Sequence, residues 1–488
     1  MSLNISAKML KTHMYIVGAT GVGKSWAILA WALSLIKQHH GVGSVSSHSQ
    51  SYNDMLARLA LMSKQVWDRV ILIDPTDPEF TITINPLELF PGDIPERKAR
   101  FLTSVMLKLF HADENITVRM QEIMLHLFWL LSISGLTLTD AKLVLTDRAL
   151  REKLLSDLPE TNPLKSYWLR EFPTVKDERA VREWSQPVTN RIGPLTTDPA
   201  LKAIFGSAKS SVNLRSAMDE RKILLVNLAK DQIGDTSSKL LGGFLIAQIQ
   251  LATLSRADKA YSSPEQFTLF LDEFQTYTTD DIEQILTESR KYGLGLVFAH
   301  QFYDQLHDNL KLQKAVINTV KNLVVFQVGA TDAAVLAPEI FTPPLDEVKD
   351  IRYRKQPTGI QIWPYTTEEE MVWRALPEIW QRRVYMIKNL PEREFWFKHK
   401  GPYKAAKLRT PDLPRIRPTQ NLLTAINELR ALSASTFGRD RKAVLSEIEH
   451  RWLQLDLIKK RSDQSQEVKK GKESKPTDVP PFEISDSD

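Results

Sequence analysis

The chain has 488 residues, which is too long for one small domain and predicts two or three. Apolar residues make up 42% and charged residues 25%, which is typical of a folded protein and excludes a wholly disordered or fibrous one. The absence of cysteine excludes disulfides, thiolate zinc sites and cysteine nucleophiles, and it suits a reducing cytosol. A net charge of +5 permits nucleic-acid binding without arguing for it.

The chain shows no apolar stretch that would span a membrane. The longest stretches, residues 26–36 and 123–131, fall short of the roughly 20 residues that cross a bilayer. The N-terminus also lacks the apolar core and cleavage site of a signal peptide. We therefore expect a cytoplasmic protein with no membrane span of its own.

Strand and helix patterns alternate in two parts of the chain. Strands are predicted at 14–18, 42–45, 69–74, 222–228, 267–271, 295–299 and 320–327, and helices at 24–38, 52–62, 240–254 and 280–291. Such alternation predicts an α/β fold with a parallel sheet covered by helices on both faces. Between the two parts, residues 101–109, 118–131 and 149–158 have helical spacing, which predicts an inserted all-helical domain.

These patterns predict six segments. We expect a first core part at 1–94, the helical insertion at 95–218, a second core part at 219–345, a basic, aromatic-rich extension at 346–418, a helical segment at 419–460 that breaks near Gly438, and a disordered tail at 461–488.

The segment GATGVGKS, Gly18–Ser25, fits the P-loop pattern for nucleotide phosphates. Its glycines let backbone N–H groups turn towards the phosphates, Lys24 can reach the β- and γ-phosphates, and Ser25 offers a hydroxyl to Mg²⁺. The pattern lies between a predicted strand and a predicted helix, which argues against a mere glycine turn with an exposed lysine. We expect ATP to be bound by Gly18, Thr20, Gly21, Val22, Gly23, Lys24, Ser25 and Trp26.

Two carboxylates follow the predicted strand 267–271, at the strand end where open α/β sheets place ligands. We expect Asp272 to hold Mg²⁺ and Glu273 to polarise the attacking water as a general base. Alone, the pair would be read as solvated acids, but together with the P-loop it indicates hydrolysis.

Two further polar residues are candidates with open alternatives. Gln301 follows the strand 295–299 and would reach the γ-phosphate between the strand of Asp272 and the P-loop strand, unless it is an ordinary loop residue. Arg290 ends the predicted helix 280–291, where it would either enter a neighbouring subunit's site as an arginine finger or remain a solvated cation.

The order of these segments resembles the HerA/FtsK superfamily of P-loop ATPases, and more narrowly the TraG/TraD-type coupling ATPases of conjugation and type IV secretion. The resemblance covers residues 14–338 and rests on GATGVGKS, RVILIDPTDPEFTITINPLE, KILLVNLAKDQIGDTSSKLLGGFLIAQIQLATLSR, LFLDEFQTY and SRKYGLGLVFAHQ. It implies a RecA-like core, a hexameric ring and ATP-driven movement of DNA. It also implies the site roles given above and supports Arg290 as the trans-acting arginine.

The chain departs from this family at two places. Its P-loop begins at Gly18, without the membrane helices or the small β-barrel that precede the core in relatives, so we do not expect direct membrane anchoring. An acidic Asp-Pro-His-Gly-Asp stretch of relatives corresponds here to Ser46, Ser47, His48, Ser49 and Gln50. Because Asp272 and Glu273 are retained, we expect ATP hydrolysis to survive this loss.

The extension also leaves two interpretations open. Residues 352–417 hold 15 Lys or Arg and 7 Asp or Glu, with ten aromatic residues among them. The cations and aromatics of 352–355 and 395–400 would bind DNA phosphates and bases, or the aromatics would pack a small core, which the strand-like alternation of REFWFKHK favours. The acidic end of the tail would solubilise the protein or dock on a partner.

Two classes of function follow. The first is a ring-forming ATPase that translocates or remodels DNA. The second is an ATP-switched assembly or recruitment scaffold in a mobile-element or phage-defence complex, acting with a partner such as a nuclease. A metabolic kinase fits poorly, because no small-substrate motif is present.

Overall fold

The computed structural model describes residues 5–109, 117–173, 178–259, 264–274, 286, 288–303, 310–342, 348–357, 365–401 and 404–456. The chain folds as two compact units. The first contains the residues up to Ile82 together with Ser211–Arg439, and the second contains Thr83–Ser210 together with the described residues from Asp440 onwards.

The described residues contain thirteen strands. They are β1 Met14–Val17, β2 Gly41–Ser46, β3 Val70–Ile73, β4 Phe80–Thr81, β5 Ile223–Asn227, β6 Phe267–Leu271, β7 Leu294–His300, β8 Asn322–Val325, β9 Val348–Pro357, β10 Tyr365–Trp373, β11 Glu394–His399, β12 Ala406–Arg409 and β13 Arg439–Asp440.

The α-helices are α1 Ala7–Leu10, α2 Lys24–Lys37, α3 Ser49–Ala60, α4 Lys64–Trp67, α5 Pro95–Leu109, α6 Val118–Ile133, α7 Ala141–Thr146, α8 Arg148–Leu154, α9 Pro163–Ser166, α10 Glu178–Ile192, α11 Pro194–Thr197, α12 Pro199–Phe205, α13 Leu214–Asp219, α14 Lys230–Ser255, α15 Leu310–Thr319, α16 Ala330–Ile340, α17 Leu376–Lys388, α18 Gln420–Phe437 and α19 at 441–456. Short 3₁₀ or π turns occupy Leu138–Asp140, Tyr167–Glu171, Arg256–Lys259 and Ser289–Tyr292.

A nine-stranded sheet organises the first unit, with the order β12-β11-β8-β1-β7-β6-β2-β5-β3. The seven strands from β8 to β3 are parallel, and β11 and β12 extend the sheet as antiparallel strands beyond β8. The predicted parallel sheet is therefore confirmed. The strands β9 and β10 form a separate antiparallel pair.

Both faces of the sheet are buried. In β1, alternate residues Met14 and Ile16 belong to one core with helices α2, α3 and α18, whereas Tyr15 packs on the other face against Phe298 at a ring distance of 5.2 Å. This alternation is what a pleated strand with helices on both sides requires. It explains why the predicted strands read as continuous apolar runs.

One helix of the first unit has the length and composition of a membrane span, contrary to the expectation from the sequence. The residues Lys230–Asp258 pass that test, but 67% of their apolar window is buried inside the protein, as in a core helix. In the second unit, Val118–Ile133 and Leu138–Thr146 would pass it jointly but are bent by 119°. A kink at Gly234, with φ +83°, divides α14, so the apolar helix predicted at 240–254 is its second part.

The second unit is built from helices α5 to α12 and from α19. The helices α5, α6, α7 and α10 pack against one another around a core that contains Leu127 and Leu131. Arg151 is fully buried there, where its guanidinium donates to the carbonyls of Val144 and Leu145 at 2.7 and 2.8 Å. The described residues of 95–210 are thus largely helical, whereas helix Leu214–Asp219, which the predicted 95–218 also reaches, belongs to the first unit.

The helical segment predicted at 419–460 is divided by the fold. It breaks at Gly438 as expected, but α18 belongs to the first unit and α19 to the second. Of the helix predicted at 280–291, most residues lie outside the described ones, and Ser289–Tyr292 form a 3₁₀ turn. The tail at 461–488 also lies outside the described residues.

Candidate nucleotide site

The loop between β1 and α2 is tied to its neighbouring strands. The Gly18 amide donates to the His300 carbonyl at 3.3 Å, and the Ala19 amide donates to the Gln327 carbonyl at 2.8 Å. Both partners follow from the parallel pairing of β1 with β7 and β8. The loop therefore leaves the carboxyl edge of the sheet in a fixed direction.

Glycine is required in this loop for conformational reasons. Gly21 has φ +82° and Gly23 has φ +104°, both in the left-handed region that other residues avoid. Helix α2 begins directly afterwards at Lys24, so its N-terminal N–H groups and the positive end of its dipole face the loop. Two left-handed glycines before a helix N-terminus are the backbone features that an anion-binding turn needs.

The Lys24 side chain lies inside the loop. Its ammonium Nζ donates to the carbonyls of Gly18 at 2.6 Å and Ala19 at 2.8 Å. Burial lowers the pKa of Lys24, and the negative charges of Asp272 and Glu273 oppose this shift. A cation so placed is available to any anion that the loop binds.

Asp272 and Ser25 come together beside Lys24. The Asp272 carboxylate is buried at the end of β6, and its hydrogen bond with Ser25 joins β6 to the start of α2. Burial raises the pKa of Asp272, while the hydrogen bond with Ser25 acts in the opposite direction. A hydroxyl and a carboxylate are hard oxygen donors of the kind that Mg²⁺ prefers.

Metal-ligating side chains are not clustered in the described part of the chain. Among the residues that the structure describes, no group of three or more His, Cys, Asp and Glu side chains is placed to hold a metal ion. Mg²⁺ in P-loop sites needs only one or two protein oxygens, with phosphate and water oxygens completing its shell. Ser25 and Asp272 fit that arrangement.

The Glu273 side chain contacts two polar side chains. Gln301 Nε2 donates to Glu273 Oε1 at 2.5 Å, and His48 Nε2 lies 3.2 Å from Glu273 Oε2. The Glu273 backbone has φ +51°, a left-handed conformation that costs a non-glycine residue about 1–2 kcal/mol. Such strain is concentrated at functional sites.

Gln301 lies where the sequence predicted, between the strand of Asp272 and the P-loop strand. Strand β7 is flanked by β1 and β6, so the residue that follows it reaches both neighbours. Thr20 donates through its hydroxyl to Gln301 Oε1 at 3.2 Å, while the Gln301 amide donates to Glu273. Gln301 thus connects the P-loop to the candidate general base.

The contact between His48 and Glu273 has no signal in the sequence. A lone histidine before a helix has no distinctive spacing from which such a contact could be predicted. Its position follows from the parallel pairing of β2 with β6, which cannot be read from periodicity.

His300, unlike His48, is a buried histidine near the site. Its ring packs against Phe274 at a centroid distance of 4.0 Å, and burial lowers the pKa of His300 to about 3. It is therefore a neutral core residue at ordinary pH, beneath the loop that carries Gln301.

Residues that flank β11 and β12 pack next to the P-loop. The Arg393 amide donates to the Val22 carbonyl at 2.9 Å, and a Cβ at Gly23 would lie 3.2 Å from Arg393 Cγ. The Trp26 indole donates to the Pro411 carbonyl at 3.1 Å, and its ring lies 5.4 Å from the Arg393 guanidinium carbon. Trp26 thus attaches the start of α2 to the segment that follows β12, a contact with no signal in the sequence.

Arg290 lies away from the P-loop of its own chain. It is exposed in the 3₁₀ turn before β7, so the length of a seven-residue strand, about 23 Å, separates it from Gln301. Its positive charge acts on the ring of His13, the residue that precedes β1. Burial lowers the pKa of His13 to about 4, and the positive charge of Arg290 adds to that shift.

Two aromatic residues of β11, Phe395 and Trp396, pack against other aromatic rings. Phe395 is fully buried between Trp31 and Phe326, at ring distances of 5.9 and 5.1 Å. Trp396 packs against Phe341 at 4.8 Å. The packing alternative therefore describes Phe395, whereas Trp396 and Phe397 are half-buried.

The rest of the basic segment gives less information. Lys398 in β11 is buried, and Lys400 lies 3.9 Å from Glu339. Arg352 in β9 is exposed. The side chains of Tyr353, Arg354 and Lys355 lie outside the described ones.

Comparison with known proteins gives no match to a family model and no match to a curated protein. Among solved structures, the unbound bacterial conjugative coupling protein TrwBdeltaN70 is 18% identical, with a TM-score of 0.52 over 83% of this chain and 87% of its own. The plasmid coupling protein TrwB in complex with ADP and Mg²⁺ is 16% identical, with a TM-score of 0.53 over 85% and 89%. A third form contains a non-hydrolysable ATP analogue, with a TM-score of 0.51.

These likenesses establish a shared fold. The chain has the α/β, RecA-like ATPase fold of the TrwB structures, and its structural neighbours fit the resemblance to TraG/TraD-type coupling ATPases that the sequence motifs indicated.

Proposed function

We propose that this chain is a cytoplasmic ATPase that forms a homo-hexameric ring and translocates or remodels DNA, of the HerA/FtsK or conjugative-coupling type. The observation that carries the proposal is that Lys24, Glu273 and the hydrogen-bonded pair of Ser25 and Asp272 lie together at one edge of the sheet. A static nucleotide site has no need of a held carboxylate beside the metal aspartate. The likeness to TrwB, solved with ADP and Mg²⁺, supports the same choice of ligand.

Each side chain has a chemical task in this proposal. The Lys24 ammonium and the N-terminus of α2 bind the β- and γ-phosphates of ATP. Ser25 and Asp272 would hold Mg²⁺, which supplies positive charge to the phosphate oxygens. Glu273 orients the attacking water and accepts its proton, and Gln301 senses the γ-phosphate through Thr20.

Arg290 would act on a neighbouring subunit. Its exposure and its distance from its own P-loop support a role in trans, where its guanidinium stabilises the charge that develops on the transferred phosphate. In a ring, each site would then be completed by the next subunit. This makes hydrolysis dependent on assembly.

The test is the rate of ATP hydrolysis with and without single- and double-stranded DNA. We expect DNA to stimulate the wild type, and Lys24→Ala and Glu273→Gln to abolish that stimulation. Lys37→Ala, at the exposed far end of the same helix, is the matched control for Lys24→Ala and should behave as wild type. The preferred strand form would identify the substrate.

The competing function is the ATP-switched scaffold. If hydrolysis ignores DNA, and Glu273→Gln still assembles with its protein partner, the motor proposal is wrong and the scaffold is favoured. The partner would be a nuclease or a component of a secretion or mobile-element system.

A further inference from the structure

We propose that His48 is a positioning residue that fixes the carboxylate of Glu273 for hydrolysis, an inference that rests on the ATPase function proposed above. The two oxygens of this carboxylate each face one polar side chain. Gln301 Nε2 donates to Oε1 at 2.5 Å, and His48 Nε2 lies 3.2 Å from Oε2. An ionised carboxylate only accepts hydrogen bonds, so the proposal requires that His48 Nε2 carries the hydrogen that faces Oε2.

The contact brings together two adjacent strands. The strands β2 and β6 are parallel, with Val45 opposite Leu271, so the residues that follow them leave the sheet side by side. His48 then caps the start of α3, and its side chain is 55% exposed while that of Glu273 is 24% exposed. The imidazole is therefore the more exposed of the two side chains, whereas Gln301 links the same carboxylate to Thr20 of the P-loop.

The loop that carries His48 does not depend on the imidazole for its position. The Leu228 amide donates to the Ser46 carbonyl at 2.9 Å, and the Lys230 amide donates to the Ser47 carbonyl at 3.1 Å. Ser49 Oγ donates to Asp231 Oδ1 at 2.9 Å on the other side of His48. Removing the imidazole should therefore free the Glu273 carboxylate without displacing the loop.

The effect on hydrolysis follows from geometry. A general base works only within hydrogen-bond reach of the water it deprotonates, and a displacement of about 1 Å costs on the order of 100-fold in rate. With Gln301 alone, the Glu273 carboxylate can rotate about the single remaining contact. ATP binding uses the P-loop instead, so it should not change.

The experiment compares His48→Ala, His48→Gln and Asn53→Ala, an exposed residue on the same helix, in the full chain. The kcat is measured by phosphate release, and the Kd by titration with a fluorescent ATP analogue. We expect His48→Ala to lower kcat about tenfold or more with Kd within about twofold of wild type. His48→Gln should restore most of the rate because its amide can donate to Oε2, and Asn53→Ala should match wild type.

Three results would overturn the inference. A wild-type kcat in His48→Ala would show that the contact has no role, and a parallel rise in Kd would assign His48 to nucleotide binding. An equal loss of kcat in His48→Gln and His48→Ala would indicate a structural role.

A separate outcome would contradict the proposed function itself. If the wild type hydrolyses ATP no faster than Lys24→Ala, the ATPase proposal fails and this inference fails with it. That outcome can be distinguished, because every variant would then show the same background rate of hydrolysis.

Discussion

Arg451 and Asp140 lie 311 residues apart in the sequence and form an ion pair in which Arg451 Nε is 3.2 and 3.1 Å from the two carboxylate oxygens. Asp140 is fully buried, and the Trp452 indole also donates to it, at 2.8 Å. This pair attaches helix α19 to the 3₁₀ turn Leu138–Asp140. Helix α19, at the C-terminal end of the described residues, is therefore an integral part of the helical unit.

Breaking this pair should destabilise the helical unit. We expect Arg451→Met to cost about 3 kcal/mol in local stability, because it leaves a buried carboxylate without its counter-charge. Hydrogen exchange of the amides in 441–456 would measure the loss, with the amides of β1 as an internal reference. Lys442→Met, an exposed change on the same helix, should leave the exchange rates as they are. Unchanged protection in Arg451→Met would show that apolar packing alone holds α19.

Glu273→Gln should separate binding from hydrolysis. The amide cannot accept the proton of the attacking water, so we expect kcat to fall by about 100- to 10,000-fold. The Kd for ATP should stay near the wild-type value, because the phosphates meet Lys24 and the loop instead. Steady-state phosphate release and equilibrium titration give the two quantities, and Glu428→Gln on α18 is the exposed control. A variant that hydrolyses at half the wild-type rate would remove Glu273 from the mechanism.

Gly23→Ala should weaken nucleotide binding. At φ +104° a methyl group is strained, and it would also lie 3.2 Å from Arg393 Cγ. A strain of about 1–2 kcal/mol predicts a rise in Kd of roughly tenfold. Gly329→Ala is the matched control, because its backbone has φ −63° and no atom lies within 4 Å of the added carbon. Equal affinities for both variants would mean that the loop adapts without cost.

Mixing Arg290→Ala subunits with Lys24→Ala subunits should restore ATP hydrolysis. If the guanidinium acts on the next subunit, Arg290→Ala and Lys24→Ala are each inactive alone, but a mixture contains interfaces with an intact P-loop and an intact arginine. We expect the mixed sample to regain a measurable fraction of the wild-type ATPase rate. A mixture no more active than its components would place Arg290 outside the reaction or restrict it to its own subunit.

The sequence predicted the parts of the site that are local. The P-loop, the β6 carboxylates and the position of Gln301 follow from motif spacing and from strand order, because neighbouring parallel strands end at the same edge. His48 and Arg393 could not be predicted in this way. Their contacts depend on which strands pair, β2 with β6 and β11 with β8, and that choice is made by long-range packing.

The packing of β11 illustrates the same limit. Alternation in REFWFKHK indicated a strand, but not that the strand joins the central sheet and buries Phe395 between Trp31 and Phe326. Composition left DNA binding and packing both open, because composition does not distinguish buried rings from exposed ones.

The bond between Trp26 and Pro411 has a consequence for synthesis. These residues are 385 positions apart, so the nucleotide loop leaves the ribosome long before the segment that supports it. Until β11 is made, β8 is an unpaired outer strand with free backbone donors and acceptors, the kind of edge that invites aggregation. A nascent chain would therefore complete its nucleotide site only after Pro411 has been made, and fragments that stop before β11 should be poor substitutes for the longer chain.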